Sequence, residues 1–267
     1  MRHPLRFTAL LAVSSAAFLA APAAQAALIK IKVENLAPTA GTLFTPVWIG
    51  VHDGSFDLFD AGAPASAQLE RLAEDGNPGP LSTLFSSGMQ GVVFGPGIGP
   101  GSPPIFGPGG SGEIVLDLGT GATDLYLSFA SMILPSNDAF FGNGNPTAYK
   151  VRDGSTVTGQ SIVILGSQIW DAGTEVNTEA AADTPVLGQM VADTGTPQGG
   201  VVALHSGFNA GGPILTAFPN ADFTADGYQV ARITISEVPE PGTLALLAGG
   251  LGMAGWMRRK RKVMTAM

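Results

Sequence analysis

The chain contains no cysteine. That excludes disulfides, thiolate metal sites, covalent haem attachment and cysteine nucleophiles, so a domain built from it draws its stability from its core or from bound ions. Histidine is almost as scarce: besides His3 there are only His52 and His205. His205 and Ser206 invite a base-and-nucleophile reading, but adjacent side chains on a strand point to opposite faces and would not meet. There is no Gly-x-Ser-x-Gly elbow, no His-Glu-x-x-His and no phosphate-cradling loop ahead of a helix. The Gly-x-Gly spacing at residues 95–101 is interrupted by prolines, which remove amide donors. Charged residues make up only 13% of the chain, and its apolar segments at 7–20 and 242–257 are short.

What charge there is has one dominant sign. Seven of the 13 Lys and Arg lie near the two ends (Arg2, Arg6, Arg258, Arg259, Lys260, Arg261, Lys262), whereas 20 of the 21 acids lie in residues 27–237. Six basic residues against 20 acids leave that region at −14. Such a surface disfavours nucleic acid and anionic lipid and suits cations.

Both ends read as targeting segments. Arg2, His3 and Arg6 precede the apolar residues 7–20, and Ala24-Gln25-Ala26 supplies a small-x-small cleavage site. Together these predict a secretory signal peptide over residues 1–26. At the other end Val238, Pro239, Glu240 and Pro241 are followed by the apolar run 242–257 and the basic cluster 258–262. Sixteen residues make a helix of about 24 Å, short against a hydrocarbon core of about 30 Å. The basic cluster holds its own side cytoplasmic. The prolines leave an extended peptide ahead of the membrane that a processing enzyme could reach. This order resembles the PEP-CTERM sorting signal of exopolysaccharide-forming Gram-negative bacteria. The resemblance implies transient inner-membrane anchoring over residues 238–262, processing by an exosortase-type enzyme, and delivery to the cell surface or matrix.

Between these ends, residues 27–237 form one domain with mostly strand periodicity. Ile29, Ile31 and Val33 alternate with Lys30, Lys32 and Glu34, the pattern of a half-buried strand. Further strands are predicted at 47–51, 112–118, 161–165, 201–205 and 228–235, and a longer one from Leu125 that ends at Pro135, with Gly, Pro, Asn and Asp between them. Residues 66–75 predict one short helix with Leu69, Leu72 and Ala73 on one face and Gly76 as its stop. The Gly- and Pro-rich stretch 91–112 lacks a collagen period and reads as a long surface loop. The fold class is therefore all-β, an antiparallel β-sandwich with one short helix.

A second resemblance runs through most of this domain. Leu134-Pro135-Ser136-Asn137-Asp138-Ala139-Phe140-Phe141-Gly142 is similar to the Pro-Ser-Pro-Asp-Trp-Phe-x-Gly segment of spondin domains. Trp170-Asp171-Ala172-Gly173-Thr174-Glu175 is similar to their Tyr-Asp-Ala-Gly-Thr-Asp segment, and Leu72-Ala73-Glu74-Asp75-Gly76 to their Leu-Ala-Glu-x-Gly helix end. The resemblance implies an antiparallel sandwich and a calcium site formed by Asp138, Asp171, Asp117 and the backbone carbonyl of Leu134. Ca²⁺ takes six to eight hard oxygen ligands, which this set would begin to supply. Asp117 stands where the family has Glu and is reached by a short gap, and Ala139 replaces the family's Trp. Of the remaining candidates, Asp124, Glu175 and Glu179 read as solvated charges, and Phe56, Phe59, Phe140 and Phe141 as core.

The functional expectation is an exported, non-catalytic surface or matrix protein that associates with extracellular polysaccharide or a surface protein. Two alternatives stand beside it: a secreted glycan-active hydrolase using a carboxylate pair on a sandwich, and a periplasmic ligand-binding protein.

Overall fold

The computed structural model describes residues 27–239 and 249–250. Thirteen strands are formed there: β1 (Leu28–Asn35), β2 (Leu43–Phe44), β3 (Val47–His52), β4 (Met89–Val93), β5 (Ser111–Asp117), β6 (Leu125–Leu134), β7 (Ala139–Gly142), β8 (Lys150–Asp153), β9 (Thr156–Val157), β10 (Gln160–Leu165), β11 (Trp170–Asp171), β12 (Ala203–Leu204) and β13 (Gln229–Glu237). Three helices accompany them: α1 (Ala67–Asp75), α2 (Gly79–Leu84) and α3 (Pro213–Ala217). The protein is mostly β, and its strand pairings are antiparallel.

A four-stranded sheet in the order β10-β13-β1-β5 faces a nine-stranded sheet whose main path is β12-β11-β7-β6-β3-β4. The alternation in β1 decides its orientation. Ile29, Ile31 and Val33 are fully buried and pack with Val47, Ile49, Val51, Leu127, Phe129 and Phe141 of the opposite sheet. Lys30 points outward and pairs with Glu113 on β5 at 3.1 Å.

β6 is buried along nearly its whole length because it is covered on both faces. Its second face, with Trp48 and Phe140, packs against Leu69, Leu72 and Ala73 of α1 and against Leu81 and Phe85. α1 and α2 thus form a third layer on the larger sheet. α1 follows its local signals: Ser66 Oγ caps the Leu69 N–H at 3.2 Å, and Gly76 ends the helix in the left-handed region at φ 63°.

Four expectations need correction. The domain has three helices rather than one, because α2 and α3 are too short to show helical periodicity and are started by prolines in the first turn. The stretch 91–112 is not simply a surface loop. Gly91 lies in β4, and the loop's far end returns to the core, where Phe106 is fully buried and stacks on Phe44 with ring centres 4.7 Å apart. Residues 201–205 yield only the two-residue β12. Glu175 and Glu179 are buried, not solvated.

The proposed signal peptide, with Ala24 and Ala26, lies outside the described residues, as do Glu240 and Pro241. Of the run 242–257 only Gly249 and Gly250 are described, and both are helical. Among the described residues no helix is long and apolar enough to cross a membrane.

Candidate metal centre

β6 ends at Leu134, and the turn after it is tied down by its own polar side chains. Ser136 Oγ donates to the Ile133 carbonyl at 2.6 Å and accepts from the Ala139 N–H at 3.1 Å. Asn137 Nδ2 donates to the Val176 carbonyl at 2.7 Å. Asp138 follows with its side chain fully buried. β7 then returns along β6 and pairs with β11, which sets Asp171 opposite Ala139.

The segment after β11 is shaped to meet Asp138. Asp171 Oδ1 accepts from the Gly173 N–H at 2.7 Å, the short side-chain-to-backbone bond that opens an Asx turn. Gly173 takes φ 70°, and a Cβ there would stand 2.6 Å from the Val201 backbone. Only glycine fits this bend. The turn aims the next amides at Asp138, whose Oδ2 accepts from the N–H groups of Thr174 at 3.0 Å and Glu175 at 3.1 Å, and from Thr174 Oγ1 at 3.3 Å. The Asp138 carbonyl accepts from the Ala172 N–H at 3.2 Å.

Asp138 Oδ1 has no hydrogen-bond partner although it is buried. Burial, followed by the charge of Asp171, pushes the Asp138 pKa up to about 6, against the pull of the Thr174 and Glu175 donors. Asp171 Oδ2 accepts from Asn177 Nδ2 at 2.6 Å. A buried carboxylate oxygen with no donor, beside a second carboxylate, is the arrangement that a hard cation relieves.

Of the four residues named from the sequence, the fold brings Asp138 and Asp171 together and places Leu134 at the same end of β6, opposite Leu43 on β2. Asp117 does not join them. It ends β5 in the other sheet, exposed, with Oδ1 accepting from the Gly119 N–H at 2.7 Å. The next carbonyl, Leu118 O, accepts from Arg152 Nη1 at 2.8 Å, and Arg152 lies opposite Leu125 at the start of β6. About 30 Å of strand separates Leu125 from Leu134. Asp117 therefore belongs to the far end of the sandwich, because β5 stops there, in the opposite sheet, and a short connection leads from it into the start of β6 at Leu125.

A second acidic group, not foreseen from sequence, adjoins the first. Carboxylate oxygens of Glu74 on α1, Glu175 and Asp193 lie within 4.8 Å of one another. Glu74 and Glu175 are only 3% and 4% exposed. Burial, then the charge of Glu74, pushes the Glu175 pKa up to about 7, and burial first of all raises that of Glu74. One signal was available: Glu74 and Asp75 occupy the last turn of α1 with no basic residue there, where the helix dipole disfavours negative charge.

His205 is buried between the ring edges of Phe208 and Phe223. Its Nδ1 accepts from the Gly207 N–H at 3.0 Å, which places the proton of the neutral ring on Nε2. Burial lowers its pKa, and the Asp171 charge opposes that. Ser206 is exposed, so the two side chains point apart.

A family model for the PEP-CTERM protein-sorting motif matches residues 237–262. The motif implies an exported bacterial protein that is recognised by exosortase and delivered to the cell surface or beyond. No curated protein matches the chain.

Proposed function

We propose that the chain is an exported, non-catalytic cell-surface or extracellular-matrix protein. In this reading its β-domain is a spondin-like module stabilised by Ca²⁺, and it associates with exopolysaccharide or another surface protein. The observation that carries the reading is where the sorting motif meets the fold. The matched segment begins at Glu237, the last residue of β13, and the Val238 N–H still donates to the Leu28 carbonyl at 2.9 Å. The last strand of the domain is thus complete where the sorting signal starts.

The calcium part of the reading rests on the unpartnered, buried Asp138 Oδ1 beside Asp171. These two carboxylates would hold the ion, with the Leu134 carbonyl and water as further oxygen donors. Its role there is structural: it ties the turn after β6 to the turn after β11 in a chain that has no disulfides.

The test is co-sedimentation of the exported protein with polysaccharide from the producing culture, in Ca²⁺ and in chelator, with released sugar measured alongside. Sedimentation with the polymer in Ca²⁺, loss of it in chelator and no sugar release are the expected results. Release of sugar overturns the non-catalytic reading. Failure to sediment in either condition removes the polysaccharide as partner.

A further inference from the structure

We propose that Glu74, Glu175 and Asp193 form a separate divalent-cation site, of the calcium class, which fastens the last turn of α1 to the segment spanning residues 174–195. This inference does not rest on the Asp138 and Asp171 site, whose side chains it does not use. The first observation is the convergence itself, with one oxygen from each carboxylate inside a 4.8 Å circle.

The second observation is that two of these nearly fully buried groups each carry an oxygen with no hydrogen-bond partner. Glu175 Oε1 accepts from the Gly195 N–H at 3.0 Å, but its Oε2 has no hydrogen-bond partner, and neither does Glu74 Oε2. Gly195 makes this close approach possible, since a Cβ there would stand 2.0 Å from the Glu175 carboxylate. Glu74 Oε2 meets only the Arg71 guanidinium, at 3.6 Å, and among the described residues Glu175 Oε2 meets no cation, so two nearly fully buried carboxylates call for more positive charge than they have.

Arg71 supplies part of that charge and leaves the rest unmet. Its guanidinium lies 3.3 Å from Asp193 and 3.6 Å from Glu74, and it also pairs with Asp75. One cation is thus spread over three carboxylates, and among the described residues none pairs with Glu175. The C-terminal end of α1 adds its own negative dipole at Glu74.

The donor set identifies the ion class. All three ligands are carboxylates, which suit hard cations rather than zinc or copper. Asp193 is 69% exposed, so one side stays open to water, and Ca²⁺ tolerates irregular mixed protein-and-water shells where Mg²⁺ requires a near-regular octahedron. Occupancy would hold the segment after Glu175 against α1.

The experiment counts bound Ca²⁺ by equilibrium dialysis of the exported protein, comparing wild type with D138N/D171N, with E74Q/D193N and with D193N alone. The expected result is that D138N/D171N keeps one ion and that E74Q/D193N loses that class of binding. D193N changes only an exposed side chain and should weaken the same class by roughly tenfold or more, the loss typical even of a metal ligand's outer partners. Limited proteolysis supplies a second readout: Ca²⁺ should protect residues 176–202 in wild type and in D138N/D171N, but not in D193N. The proposal is overturned if D138N/D171N binds no ion while retaining its fold. It is equally overturned if E74Q/D193N binds as many ions as wild type, or if D193N is protected to the wild-type extent. Loss of the Asp138 site alone would show as one fewer ion in wild type and no further change in D138N/D171N.

Discussion

The backbone N–H of Glu175 donates to Asp138 Oδ2 at 3.1 Å. A single peptide group therefore joins two acidic clusters, one at the ends of β6 and β11 and the other under α1. The Asp138 carboxylate has two separable roles: Oδ2 organises the turn, and Oδ1 is free for a ligand.

Substitutions at Asp138 should separate those roles. Asp138→Ala leaves the Thr174 and Glu175 amides without their acceptor, at a cost of about 1–3 kcal/mol for each orphaned group. Asp138→Asn keeps an acceptor for them and should lose much less in chelator. Each variant should lose the share of the Ca²⁺ stabilisation that this site supplies, about 2.7 kcal/mol at a hundredfold excess over its Kd. Denaturant melts with Ca²⁺ and with chelator measure both effects. A full Ca²⁺ response in Asp138→Ala would remove this residue as a ligand.

Stability should fall in mild acid through His52. The ring is fully buried, accepts from the Gly54 N–H at 3.0 Å through Nδ1, and has Nε2 2.9 Å from Ser128 Oγ. This geometry suits the neutral ring. Burial lowers its pKa below the ordinary 6.5, with the Asp53 charge opposing in part. The unfolded chain takes up its proton near pH 6.5 and the native state only below that, so stability is lost as pH falls from 6.5 through the lowered native value. Denaturant midpoints at about pH 7.5 and about pH 5.5 should differ less in His52→Gln than in wild type. The buried carboxylates titrate in both proteins and cancel in the comparison. Equal pH dependence in the two would assign the loss to other groups.

Asn35 anchors the Gly- and Pro-rich loop to the first strand. Its Nδ2 donates to the carbonyls of Thr42 at 3.1 Å and Phe106 at 2.9 Å, and its Oδ1 accepts from the Ala37 N–H at 2.8 Å. Asn35→Leu removes all three bonds inside the core and should cost at least about 2 kcal/mol. The near-ultraviolet signal of the stacked Phe44 and Phe106 should weaken with it. A variant as stable as wild type would mean that water replaces the amide.

Replacing Pro239, Glu240 and Pro241 together with alanine should block processing without disturbing the domain, since β13 ends at Glu237. Fractionation followed by mass measurement should find wild type shortened at its C-terminus and outside the cell, and the triple variant full-length and cell-associated. Normal release of the variant would show that residues other than this motif direct sorting.

Signals carried within a few neighbouring residues were read correctly. Alternation placed Ile29, Ile31 and Val33 inward, and Ser66 and Gly76 marked the start and stop of α1. Shorter elements escaped: β2 and β11 have two residues each, too few for a period, and exist because β6 and β7 offer them backbone partners. Phe106 looked like part of a surface loop because nothing nearby in sequence announces Phe44 as its stacking partner.

The candidate site divides along the same line. Asp138 and Asp171 were named through motifs that each fold locally, and Asp117 was misplaced because sheet membership depends on pairing with a distant strand, here β1. By itself the sequence determined the strand alternation, the acidic excess, the absence of disulfides and the sorting motif, all properties of adjacent residues or of composition. Only the tertiary structure decided which acids lose their water and meet, since the convergence of Glu74, Glu175 and Asp193 and the unpartnered oxygen of Asp138 arise from packing α1 and the turn after β11 around the end of β6.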